Sequence, residues 1–223
     1  MDWNAIDRRE ILRYLGYGQK DADASTWESI QQCLHELENA VRPSSRWAVF
    51  DVVHGSQGVE LPQCGMVLEG QSIASHLQGC DKAVLLAATL SAQADRLIRS
   101  AQACDMAKGL IMDCCATAAI ERVCDEAEED IRSSLTGKFF TFRFSPGYGD
   151  LPITLQKKFL AVLDAPRKIG LCATDTSLLT PRKSVTAVIG VSDRPVAPQR
   201  RGCGACNLNK TCQFRKRGAH CGV

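Results

Sequence analysis

RFSPGYGDLP, residues 143–152, breaks the regular pattern of the chain at its most informative point. Pro146 and Pro152 restrict φ, while Gly147 and Gly149 reach positive φ, so the segment predicts a tight loop. Such a loop can hold backbone N–H and C=O groups close to a ligand. Arg143 opens it with a permanent planar cation suited to a carboxylate or phosphate. Tyr148 adds a flat face and a hydroxyl. On the residues alone, a surface turn with an arginine ion pair describes the segment as well.

On its N-terminal side the loop follows a strand candidate, 138–142, and a long helical stretch, 107–134. On its C-terminal side come a helix over 155–163 and a strongly β-branched strand, 184–191. Earlier elements are a short helix over 5–15 ending near Gly16, a helix over 25–41 capped by Asp23 or Ser25, and a strand from Trp47 to Val53. Extended pieces at 58–61 and 66–69 precede a helical turn at 72–77, an apolar run over 82–90 that reads as a buried strand though periodicity does not separate it from buried helix, and a helix from Ser91 to about Cys104. Helices and strands fall in uneven runs, without βαβ alternation, which predicts an α+β fold.

The 223 residues are 45% hydrophobic and 23% charged, the composition of a globular chain. No stretch approaches the roughly 20 apolar residues of a membrane helix, and the acidic N-terminus is unlike a secretory signal. Cytoplasm is the expected compartment, with no membrane role. The net charge of +2 predicts no nucleic-acid partner, but it is unevenly spread. Residues 199–223 hold six of the 27 Lys and Arg residues and no acid, leaving 21 basic and 25 acidic residues before them. A domain over 1–198 and a basic tail over 199–223 are expected, joined by a Pro- and Gly-containing linker.

The tail carries Cys203, Cys206, Cys212 and Cys221, spaced C-x2-C-x5-C-x8-C. Four thiolates in a short, apolar-poor segment suit tetrahedral zinc or an iron–sulfur cluster, and the spacing does not choose between them; disulfide or redox use and a non-specific basic tail are the other readings. His220 is a possible substitute ligand. The other eight cysteines are expected to be small buried hydrophobes. Glu121 follows a run of small residues from Cys115 to Ile120, where a ligand cation could approach a carboxylate, although a solvated helix face describes it as well; Asp125 and Glu128 lie near the same face. Glu126, Glu129 and Asp130 read as a solvated face. His35, His54 and His76 stand alone, and neither a Walker nor a Rossmann phosphate loop is present.

Arg143 to Tyr148, followed by Pro152, resembles the R-x-x-x-G-Y-x-x-x-P signature of the activation (S-adenosylmethionine-binding) domain of cobalamin-dependent methionine synthase, in its stand-alone bacterial version. AAIERVCDEAEEDI, with Glu121, resembles that family's ligand-facing helix, and LLTPRKSVTAVIGVSD a later family segment. The likeness covers roughly residues 80–193. Where the large synthase has an acidic, histidine-containing helix start, this chain has Ile153, Thr154 and Leu155. Corrinoid, homocysteine and folate modules are absent from the sequence.

The resemblance implies a mostly antiparallel sheet with flanking helices. It implies binding of S-adenosylmethionine for reductive methylation, or reactivation, of an oxidised cob(II)alamin. That cobalamin would be carried by a separate methionine synthase or other corrinoid protein, and an electron donor would be needed. By the same resemblance Arg143 would bind the methionine carboxylate and Glu121 its amino group. Ser145, Pro146, Gly147 and Tyr148 would hold the adenine and pack beside the ligand. The tail would relay an electron if it holds iron–sulfur, and serve structure or docking if it holds zinc. The alternative is a metal- or cluster-carrying interaction or electron-transfer protein that does not use S-adenosylmethionine.

Overall fold

The computed structural model describes residues 1–18, 20–56 and 58–196. Seven helices are placed among them: α1 (Arg8–Tyr14), α2 (Ala24–Ala40), α3 (Gln71–His76), α4 (Ala92–Cys104), α5 (Met106–Ser134), α6 (Gln156–Val162) and α7 (Ala165–Ile169). The strands are β1 (Ser44–Asp51), β2 (Val53–His54), β3 (Gly58–Leu61), β4 (Met66–Glu69), β5 (Lys82–Thr89), β6 (Phe139–Phe140), β7 (Cys172–Ala173), β8 (Leu179–Thr180) and β9 (Ser184–Ser192).

Local chemistry sets several of these boundaries. Asp7 accepts from Arg9 N, Asp23 from Thr26 N and Asp105 from Ala107 N, so each carboxylate caps the helix that follows it. Asp23, of the two candidates, caps α2. Arg42 and Pro43 end α2, and β1 begins at once, three residues before the expected strand. The helix expected over 5–15 starts later, at Arg8, after a 3-10 turn at Trp3–Ala5.

Four strands form one sheet in the order β1-β5-β9-β6. Its pairings run antiparallel. Arg42 N donates to Leu90 O and Val52 N to Asp81 O beside β1 and β5, and Leu90 N donates to Lys183 O and Asp81 N to Val191 O beside β5 and β9. β5 and β9 are buried along nearly their whole length, which explains their continuous apolar sequence. The fold is α+β with a mostly antiparallel sheet and flanking helices.

The chain divides into two compact units. The first comprises Met1–Trp47, Leu86–Leu135 and Gln156–Thr186. Its core gathers Ile11 and Leu12 of α1, Ile30, Cys33 and Leu37 of α2, Ile98 of α4, and Met112, Cys115, Ala119 and Val123 of α5. The second comprises Ala48–Leu85, Thr136–Leu155 and the chain from Ala187. It contains an antiparallel meander, β2-β3-β4, with Val53 opposite Glu60 and Leu61 opposite Met66.

Cys33, Cys80, Cys114, Cys115 and Cys124 are buried as expected, and burial pushes the Cys33, Cys80 and Cys114 thiols up to about 11. Three depart from that expectation: Cys64 is only half-buried, and Cys104 and Cys172 are exposed, at the end of α4 and on the short strand β7. No helix among the described residues is long and apolar enough to cross a membrane.

Candidate functional site

The signature segment belongs to the second unit and is shaped by its pairing with β9. Phe139 faces Ser192 and Phe140 faces Val191, and Thr141 N continues the series by donating to Gly190 O at 3.0 Å. The next pair is Phe144 with Val188, which exchange hydrogen bonds of 2.9 and 2.8 Å. Two residues, Phe142 and Arg143, therefore oppose the single residue Ile189. This is a bulge, the device by which a strand re-aims a side chain beside a site. It also explains why the strand expected over 138–142 pairs regularly at only two positions.

The bulge is supported from beneath. Gly190 N donates to Thr141 Oγ1 at 2.7 Å, and that hydroxyl lies 2.8 Å from His76 Nε2. His76, at the end of α3, is buried, and its ring lies 4.6 Å from that of Phe142 and 4.9 Å from that of Phe144. The edge contact of Phe144 with Tyr148, at 6.0 Å, carries this ring stack out to a side chain that is 57% exposed. Half-buried Arg143 stands between the two phenylalanines.

Ser145 to Tyr148 form a turn closed by Tyr148 N donating to Ser145 O at 2.9 Å. Pro146 occupies its second position and Gly147, at φ 96°, its third, the residues that a type II turn requires. Gly147 N donates to Leu151 O and Leu151 N to Tyr148 O, which tightens the loop further. The Gly147 and Tyr148 N–H groups are thus engaged within the loop.

Glu121 lies on α5 in the first unit, half-buried among the buried residues Ala118, Ala119, Ile120 and Cys124. Its carboxylate acts on Tyr14 of α1: burial and then the Glu121 charge raise the Tyr14 hydroxyl above its ordinary pKa, against the opposing charge of Arg13. Asp113, Thr117 and Glu121 recur at four-residue steps along one face of α5. Lys183, just before β9, places Nζ 3.0 Å from Asp113 Oδ2 and 2.8 Å from Thr117 Oγ1. The family-like segments around Glu121 and Lys183 therefore meet along α5 inside this unit. Of the neighbouring acids, Asp125 is exposed and Glu128 pairs with Arg132 at 3.4 Å. Glu126 is no simple solvated residue, because it accepts from Asp2 N and pairs with the N-terminal ammonium.

Arg143, Ser145, Pro146, Gly147 and Tyr148 are thus brought together on one loop, whereas Glu121 belongs to the other unit. Cys203, Cys206, Cys212 and Cys221 lie outside the described residues. Among the described residues no group of three or more His, Cys, Asp or Glu side chains has an arrangement that could hold a metal ion. His76 and Asp150 are the residues that sequence reasoning missed. Neither carries a motif, and each acquires its place through partners more than 60 residues away.

Neither a family model nor a curated protein matches the chain. A solved structure does: the crystal structure of the MetH reactivation domain bound to AdoHcy superposes with a TM-score of 0.64. This chain has the MetH reactivation domain fold. The match covers 98% of this chain and 84% of the other at 13% sequence identity. At that identity the agreement with the MetH reactivation domain is one of architecture, and the sheet and flanking helices follow it.

Proposed function

We propose that the chain binds S-adenosylmethionine and presents its methyl group for reactivation of a cobalamin carried by a separate methionine synthase or other corrinoid protein. The observation that carries this reading is the half-buried Arg143 on a bulge, leading into a Pro-Gly turn, in a chain with the MetH reactivation domain fold. The solved structure of that fold holds AdoHcy, the thioether that S-adenosylmethionine becomes on losing its methyl.

Each residue has a task matched to its chemistry. The Arg143 guanidinium takes the amino-acid carboxylate through paired N–H donors. Glu121 takes the ammonium. With the Gly147 and Tyr148 N–H groups engaged, the adenine amine is left to the turn's carbonyls, which have a second lone pair to offer. Exposed Tyr148 supplies a flat apolar face. The protein's contribution to rate is proximity and orientation of the sulfonium methyl. The partner's cobalamin supplies the nucleophile, and an external donor supplies one electron per methyl transferred. Cys203, Cys206, Cys212 and Cys221 form a zinc or iron–sulfur site in this reading, and the positive charge around them favours an acidic partner.

Calorimetric titration of the full chain with S-adenosylmethionine and with AdoHcy tests the reading. Both ligands are expected to bind. Arg143→Ala is expected to weaken binding about 100-fold and Glu121→Gln about tenfold, the scale of a lost charged hydrogen-bond pair and a lost single charge. Absence of binding by the unaltered chain overturns the proposal and leaves the cluster-carrying alternative. Anaerobic metal analysis and a visible spectrum separate zinc from iron–sulfur.

A further inference from the structure

The signature loop is tied to a helix 79 residues earlier in the chain. Asp150 accepts hydrogen bonds from Gln71 N, at 2.7 Å to Oδ2, and from Ser72 N, at 2.9 Å to Oδ1. Helix α3 has no cap of its own, because Gly70 stands at its N-cap position without a side chain. The Asp150 carboxylate takes that place with two charge-assisted bonds. These bonds, Ser72 N–H foremost, hold the Asp150 carboxyl below the usual carboxylate range.

The contact is built for close approach. A Cβ on Gly70 would lie 2.8 Å from Asp150 Cγ, and one on Gly149 would lie 2.5 Å from both Ser72 Cβ and Oγ. Each backbone thus has a glycine where the other segment comes in. At its opposite end α3 presents His76 to Thr141, Phe142 and Phe144. One short helix is therefore fastened at both ends to the segment 141–150. Arg143 and the Ser145–Tyr148 turn lie between the two fastenings.

We infer that α3 is a splint for the ligand loop and that Asp150 is a positioning residue for ligand binding. This rests on the reading of that loop as the S-adenosylmethionine site. Asp150 need not touch the ligand. It holds the turn in the conformation that Arg143 and Tyr148 share, so that less ordering is required when ligand arrives.

Two measurements on the full chain test the inference, both far below the melting temperature so that every variant is folded. In titrations with S-adenosylmethionine, Asp150→Ala is expected to weaken binding about tenfold. Asp150→Asn retains one acceptor and is expected to recover about half of that loss on a logarithmic scale. Amide hydrogen exchange at Gly147, Tyr148 and Leu151 is expected to accelerate in Asp150→Ala, while exchange in α5 is unchanged. Equal affinity of Asp150→Ala and the unaltered chain overturns the inference. If the unaltered chain binds no S-adenosylmethionine, the proposed function fails instead, and hydrogen exchange decides the splint alone: unchanged protection of the loop overturns it.

Discussion

Glu121 and Arg143 are placed by opposite means. Glu121 rides on a helix of 29 residues whose buried face fixes its position, so its neighbours follow from a repeating pattern. Arg143 stands on a bulge and is fixed by hydrogen bonds, ring contacts and a turn that no pattern repeats. A carboxylate on a packed helix can be altered with little cost to the fold. A guanidinium on an irregular loop depends on every residue that shapes the loop.

On the helix side, core truncation is the severest change. Ile30, fully buried against α5, loses packing on replacement by alanine. Ile30→Ala is expected to lower unfolding free energy by about 2–5 kcal/mol in urea titration. A loss near zero would mean that the helical core does not fix Glu121.

On the loop side the vulnerable position is a glycine. Gly147 is at φ 96°, with the nearest atom of Ile153 at 3.7 Å from a Cβ placed there, so the obstacle is backbone conformation more than space. Gly147→Ala is expected to cost about 1–2 kcal/mol in the same unfolding measurement. It should also weaken S-adenosylmethionine binding more than Glu121→Gln does per unit of stability lost.

The smallest effect is in pH. The folded-state pKa of Asp150 is depressed, so its contribution to stability is complete above the ordinary carboxylate pKa. That contribution is lost as pH falls through the depressed value. Asp150→Asn is expected to flatten the acid limb of a melting-temperature profile slightly, since the residue is exposed and its bonds are partly screened. An acid limb identical to that of the unaltered chain would mean that the Asp150 carboxylate does not stabilise the fold.

Much of the architecture was legible because it repeats. The helices over 24–40, 92–104 and 106–134 announce themselves by apolar spacing, and β5 and β9 by unbroken β-branched and apolar runs. Strands β7 and β8 and helix α7 escaped notice, since two to five residues carry no period. Within the candidate site, proline and glycine marked the turn at Ser145–Tyr148. The bulge was invisible, because it exists only relative to β9. His76 and Asp150 were illegible for the same reason: a lone histidine and a loop aspartate gain meaning from Thr141 and from the Gln71 and Ser72 amides, which only folding brings near.

The two-against-one pairing at Phe142 and Arg143 makes loop length a constraint as strict as composition. Deleting a single residue between Thr141 and Phe144 would restore even pairing with β9 and abolish the bulge on which Arg143 stands. Relatives that use the same loop should therefore tolerate exchange of the aromatic residues more readily than any change in the count of residues separating that threonine from the Pro-Gly pair.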